Sequence, residues 1–65
     1  MSLWRNFETK RYRGMVEIKT GKVVAYENSP RLRRRVIETN VNSPINLFPF
    51  TDEDYVVLAA KKVLS

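Results

Sequence analysis

The chain has no cysteine and no histidine among its 65 residues. Without cysteine there are no disulfides and no thiolate metal sites. Without histidine the commonest metal ligand and general acid–base group is missing, and the Ser–His and Cys–His pairs that activate nucleophiles cannot be assembled. Glycine occurs twice, at Gly14 and Gly21, and neither position belongs to a glycine-rich phosphate loop. No apolar run approaches the roughly 18 residues of a membrane span. The N-terminal stretch MSLWRNFETK lacks the apolar core of a signal peptide. Together these absences lead us to expect a non-enzymatic, cytoplasmic protein with no cofactor and no membrane contact.

A chain this short makes one small domain, 1–65, and buries only roughly 60% of its unfolded surface. Small domains usually add disulfides, a metal or a partner chain to a marginal core. Only the last of these is open here, so a homodimer, or a subunit of a larger complex, is expected.

What the chain does have is positive charge, unevenly placed. Twelve basic residues against seven acidic ones give a net charge of +5. Residues 1–38 carry ten basic and four acidic groups, whereas residues 39–65 carry two and three. The densest stretch is SPRLRRRVIETN, with four arginines in five positions, Arg31, Arg33, Arg34 and Arg35, interrupted only by Leu32. A basic N-terminal part and a near-neutral C-terminal part suggest one surface for a polyanion and another for packing.

The element pattern is that of a small α+β domain. Residues 1–10 form a possible N-terminal arm, and the spacing of Leu3, Trp4 and Phe7 fits either a short helical turn or an extended segment. Residues 12–28 read as a β-hairpin about Thr20–Gly21. A three-residue loop with Gly21 left-handed pairs Val16 with Val24 and Gly14 with Tyr26. It gives one apolar face of Tyr12, Val16, Ile18, Val24 and Tyr26, with the Tyr26 ring over Gly14. Residues 30–39 read as a short Arg-rich helix, with a third strand as the alternative. Ser29 suits the N-cap, Pro30 the first helical position, and Asn40 the left-handed residue that ends a helix. Leu32, Val36 and Ile37 would then share a side, opposite Arg31, Arg34 and Arg35.

Residues 41–50 form a loop punctuated by Pro44 and Pro49. Its apolar members Val41, Ile45, Leu47, Phe48 and Phe50 are expected to lie across the core. Residues 52–64 form the clearest helix. Thr51 caps it, Asp54 completes a capping box, and Phe50 with Tyr55 occupies the staple positions. Asp52, Glu53 and Asp54 suit the positive end of its dipole and Lys61 and Lys62 the negative end. An oxygen-ligated cation on the acidic trio is conceivable, but capping accounts for all three residues. Tyr55, Val56, Ala59, Ala60 and Val63 can face one core. Val57, Leu58 and Leu64 reach further round, which makes these three the candidate interface.

The candidate binding set is basic: Arg31, Arg33, Arg34 and Arg35 in the run, Arg11 and Arg13 around the start of the hairpin, and Lys19 and Lys22 at its turn. Arginine suits phosphate because its planar fork makes bidentate hydrogen bonds. Cations in the first turn of a helix oppose the dipole, so an Arg-rich helix start calls for a functional reason. Trp4, Phe7, Tyr12 and Tyr26 are interleaved with the basic residues, as in proteins that stack bases, but Trp4 and Phe7 also suit core or interface anchors, and Tyr12 and Tyr26 are better read as core because they lie on the hairpin's apolar face. The reading is a nucleic-acid-binding protein, for DNA or RNA, gripping phosphates. Its rival is a protein-interaction module, a small regulator or accessory subunit, whose arginines meet an acidic protein partner.

Overall fold

A computed structural model describes residues 3–28 and 34–65 of the chain. Among the described residues four strands, β1 (Trp4–Glu8), β2 (Tyr12–Glu17), β3 (Lys22–Glu27) and β4 (Val36–Asn40), precede one helix, α1 (Asp52–Leu64). The strands form an antiparallel sheet in chain order, β1-β2-β3-β4. The helix crosses one face of it. Arg11 and Arg35 reach Asp52 at its first turn, and Arg5 Nη1 donates to the Val63 carbonyl in its last turn at 2.9 Å. The result is a thin slab, 32 × 30 × 15 Å, with a helix layer on one face of the sheet.

Alternation sorts the side chains. Phe7, Tyr12, Val16, Val23, Ala25 and Ile37 point toward α1 and form a buried cluster with Val56 and Ala60. Their sheet neighbours Trp4, Met15, Tyr26 and Val36 are exposed on the other side. The small α+β architecture, the hairpin and the C-terminal helix are as the sequence implies.

The hairpin register differs by one residue. Val16 pairs with Val23 and Gly14 with Ala25, so the connection holds four residues, Ile18 to Gly21, between Glu17 and Lys22. The Gly21 N–H closes this turn on the Glu17 carbonyl at 2.8 Å. Gly21 is left-handed, φ 77, as anticipated. Because strand side chains alternate, the one-residue shift turns β3 over. Val23 and Ala25 face the core, while Tyr26 and Ile18 are exposed. Gly14 is covered by Phe7 instead of Tyr26: a Cβ there would lie 2.7 Å from Phe7 Cζ and 2.5 Å from the Val24 carbonyl oxygen.

The N-terminal segment is extended and joins the sheet as edge strand β1, with Phe7 its buried residue. The Arg-rich helix is corrected to a strand over its C-terminal half: Val36–Asn40 is β4. Three of the four residues in Val36-Ile37-Glu38-Thr39 are β-branched, and such side chains pack well on a pleated surface. Ile37 enters the core beside Ala25. Asn40 is not left-handed. Its side chain instead accepts from the Asn42 N–H at 2.9 Å and donates to the Thr20 carbonyl at 3.1 Å, tying the end of β4 to the hairpin turn. The cap expected at Ser29 and Pro30 lies outside the described residues, as do Arg31, Leu32 and Arg33.

The loop before α1 is less buried than its composition implies. Val41 packs against the core, but Leu47 is 93% and Phe48 86% exposed. The helix start follows the sequence closely. The Thr51 N–H donates to Asp54 Oδ2 at 2.8 Å and the Asp54 N–H to Thr51 Oγ1 at 3.3 Å. The Phe50 and Tyr55 rings meet edge-on, 5.5 Å apart. Val56 and Ala60 are core residues, with Ala59, Val63 and Leu64 half-buried against them. Tyr55 is exposed. Val57 is buried within the chain, so of the three candidate interface residues Leu58 is the exposed one.

Candidate nucleic-acid interface

The sheet gathers cations at one of its ends. The β1–β2 turn brings Lys10 and Arg11, β2 brings Arg13, and the approach to β4 brings Arg34 and Arg35. Pairing places these segments side by side: Arg13 stands opposite Tyr26, Tyr26 opposite Val36, and the Glu27 N–H donates to the Arg35 carbonyl at 2.9 Å. Lys19 and Lys22 belong to the other end, in and just after the β2–β3 turn. Lys22 lies one residue beyond the Val16–Val23 pair, roughly 13 Å from Arg13 at about 3.3 Å per residue. Four candidate residues, Arg11, Arg13, Arg34 and Arg35, are thus brought together, and the two lysines stand apart. Arg31 and Arg33 precede Arg34 in the chain and lie outside the described residues.

The grouped arginines do not share one face. Arg35 and Arg11 turn toward the helix side. Asp52 Oδ2 lies 3.6 Å from Arg35 Nη1, and Asp52 Oδ1 lies 3.9 Å from Arg11 Nη1. The same carboxylate accepts from Tyr12 Oη at 3.3 Å. Arg13 and Arg34 turn to the open side, where both border a depression of ≈ 250 Å³ with Tyr26, Glu27 and Asn28. Arg13 Nη2 lies 3.5 Å from Glu8 Oε1 on β1, and Arg34 makes no ion pair among the described residues. A helix would have put Arg34 and Arg35 on one side; the extended chain separates them. The dipole argument for a functional arginine run loses its basis with the helix over 36–39.

The pairs these arginines make are weak competitors for phosphate. The Arg11, Arg13 and Arg35 side chains are 65–75% exposed, and exposed pairs contribute about 0–1 kcal/mol. Burial pushes the Tyr12 hydroxyl pKa up, assisted by the Asp52 charge and opposed by Arg35. Tyr12 therefore acts as a neutral strut from sheet to helix, and its ring belongs to the core and not to a stacking surface. Tyr26 is the reverse case. Assigned by sequence to the apolar face, it is 46% exposed on the open face. The register shift explains the reversal, and the loop length that sets the register had no distinct sequence signal.

The acidic trio is engaged in the fold. Asp52 holds Arg11, Arg35 and Tyr12. Glu53 accepts from Thr39 Oγ1 at 3.2 Å. Asp54 is held below the usual carboxylate range, first by the Thr51 N–H and then by the Thr51 hydroxyl and the Asn46 N–H, against the effect of desolvation. Among the described residues no cluster of three or more acidic side chains could hold a metal ion, and no helix is long and apolar enough to cross a membrane. Comparison with protein families, curated proteins and solved structures finds no match to this chain.

Proposed function

We propose that this chain is a small, non-enzymatic nucleic-acid-binding protein that grips phosphates with the basic end of its sheet. The observation that carries the reading is the convergence of Arg11, Arg13, Arg34 and Arg35 from three separate segments on that end. In the chain Arg34 and Arg35 directly follow Arg31 and Arg33. Cations from distant segments add their potentials there, and their exposed ion pairs exchange for phosphate at small cost. Phosphate binding releases counterions, so affinity for a labelled oligonucleotide falls linearly with salt on a log–log scale. Fluorescence anisotropy between about 50 and 200 mM salt tests this, and absence of binding at the lower salt rejects it.

A second reading has an observation of its own. Leu47 and Phe48 are almost fully exposed, and Phe48, Phe50 and Tyr55 follow one another at ring separations of 6.4 and 5.5 Å. Exposed apolar groups of this size favour a protein partner. An accessory subunit would use this spine and Leu58 for docking and its arginines for acidic side chains. Leu47→Ser with Phe48→Ser leaves nucleic-acid affinity unchanged under the first reading and abolishes partner capture under the second.

A further inference from the structure

Among the described residues the sheet face opposite α1 carries no layer of its own, and its basic end has a specific layout. Tyr26 stands on β3 with Arg13 beside it on β2 and Val36 beside it on β4. Arg34 lies two residues before Val36. Tyr26 borders two depressions. One, of ≈ 560 Å³, is bordered by Asn6, Glu8, Arg13, Met15 and Tyr26. The other, of ≈ 250 Å³, is bordered by Arg13, Tyr26, Asn28 and Arg34 with Glu27. Arg13 and Tyr26 are common to both, so they form the ridge between two hollows.

We propose that this face takes single-stranded nucleic acid, one base stacking on Tyr26 and the phosphates on either side of it meeting Arg13 and Arg34. The proposal rests on the phosphate-binding reading and adds the class of nucleic acid and the residue that holds the base. Two facts favour a single strand over a duplex. No Arg-rich helix is present over Val36–Asn40 to enter a groove, since that segment is β4, and the helix among the described residues, α1, presents Asp52, Glu53 and Asp54 at its start. A half-exposed aromatic ring on a sheet can stack only with a base that is unpaired and turned out. Charge complementarity fits the same occupant. Arg34 makes no ion pair among the described residues, and Arg13 is opposed by the exposed Glu8. Glu27, the other acid here, lies within 3.4 Å of the Arg35 N–H, which donates to it. Glu8 is therefore the group a phosphate displaces, and its removal strengthens binding.

The test uses fluorescein-labelled oligo-dT and oligo-rU of about ten nucleotides, within the usual single-strand site sizes, a hairpin duplex, and a polyglutamate peptide. Either single strand binds more tightly than the duplex and the peptide. Tyr26→Ala weakens single-strand binding roughly tenfold with an unchanged salt slope, while Tyr26→Phe, which keeps the ring, stays within about twofold. Arg34→Gln flattens the log–log salt slope by about 0.7, the value for one phosphate of a single strand. Glu8→Gln tightens binding. All three side chains are exposed, and circular dichroism confirms folding of each variant. Duplex binding as tight as single-strand binding, with Tyr26→Ala inert, overturns this proposal and leaves the phosphate reading standing. Equal affinity for polyglutamate, or no binding of any oligonucleotide, overturns both.

Discussion

Single positions set the limits of this fold. Gly14 has room for no side chain, because a Cβ would press on both the Val24 carbonyl and the Phe7 ring. Gly14→Ala therefore costs about 1–3 kcal/mol, read as a lower urea midpoint. Gly21 holds φ 77, and a Cβ there would also come within 2.6 Å of Val41 Cγ2. Gly21→Ala costs at least the roughly 1–2 kcal/mol of a left-handed residue with a side chain. Asp54 gives the chain an acid sensitivity whose sign follows from its hydrogen bonds. Its folded pKa lies below the ordinary value of 3.8. Its contribution is thus complete above that value and is lost as pH falls through the folded pKa. Thermal melts below about pH 4 should show this loss in the parent chain and a smaller one in Asp54→Asn. A raised Tyr12 pKa works the other way: its contribution is complete below pH 10 and lost as pH rises through the folded value.

At the level of elements, the C-terminal helix was the most legible part of the sequence because its signals are local. Thr51, Asp54, Phe50 and Tyr55 lie within six residues, and cap, box and staple all form. Thr51→Ala should cost about 1 kcal/mol, measured by chemical denaturation. The hairpin was legible as an element but not in register. Register depends on the length of a turn, and a four-residue turn from Ile18 to Gly21 resembles a three-residue one in composition. That single residue decides whether Tyr26 is core or surface, so the site inherited the error. The arginine run misled for a related reason. Leu32, Val36 and Ile37 have helical spacing, whereas β4 is stabilised by pairing with β3, a partner ten or more residues away in the chain. The β-branched stretch from Val36 to Thr39 was the local sign of a strand. The grouping of Arg11, Arg13, Arg34 and Arg35 could not be read from spacing at all, because sheet pairing creates it.

For the whole molecule, the governing fact is a sheet covered by a helix on one side. The core is small, and Leu58 is 38% exposed on α1, three residues after Tyr55, the last ring of the aromatic spine. If the chain self-associates through this side, Leu58→Glu shifts sedimentation toward monomer. A monomer for both the parent chain and the variant removes the homodimer from consideration. The proposed base-stacking face, at Arg13, Tyr26 and Arg34, lies on the opposite side of the slab, so on that proposal Leu58→Glu leaves oligonucleotide affinity unchanged. The central claim concerns which end of the sheet holds the phosphates. The most direct measurement compares the salt dependence of oligonucleotide binding for two double variants, Arg13→Gln with Arg34→Gln at one end, and Lys19→Gln with Lys22→Gln at the other. Both remove the same charge. The account predicts that the arginine pair flattens the log–log slope by about 1.4, two phosphates at about 0.7 each, while the lysine pair leaves it unchanged. Equal flattening by the two variants, or flattening by the lysine pair alone, would contradict it.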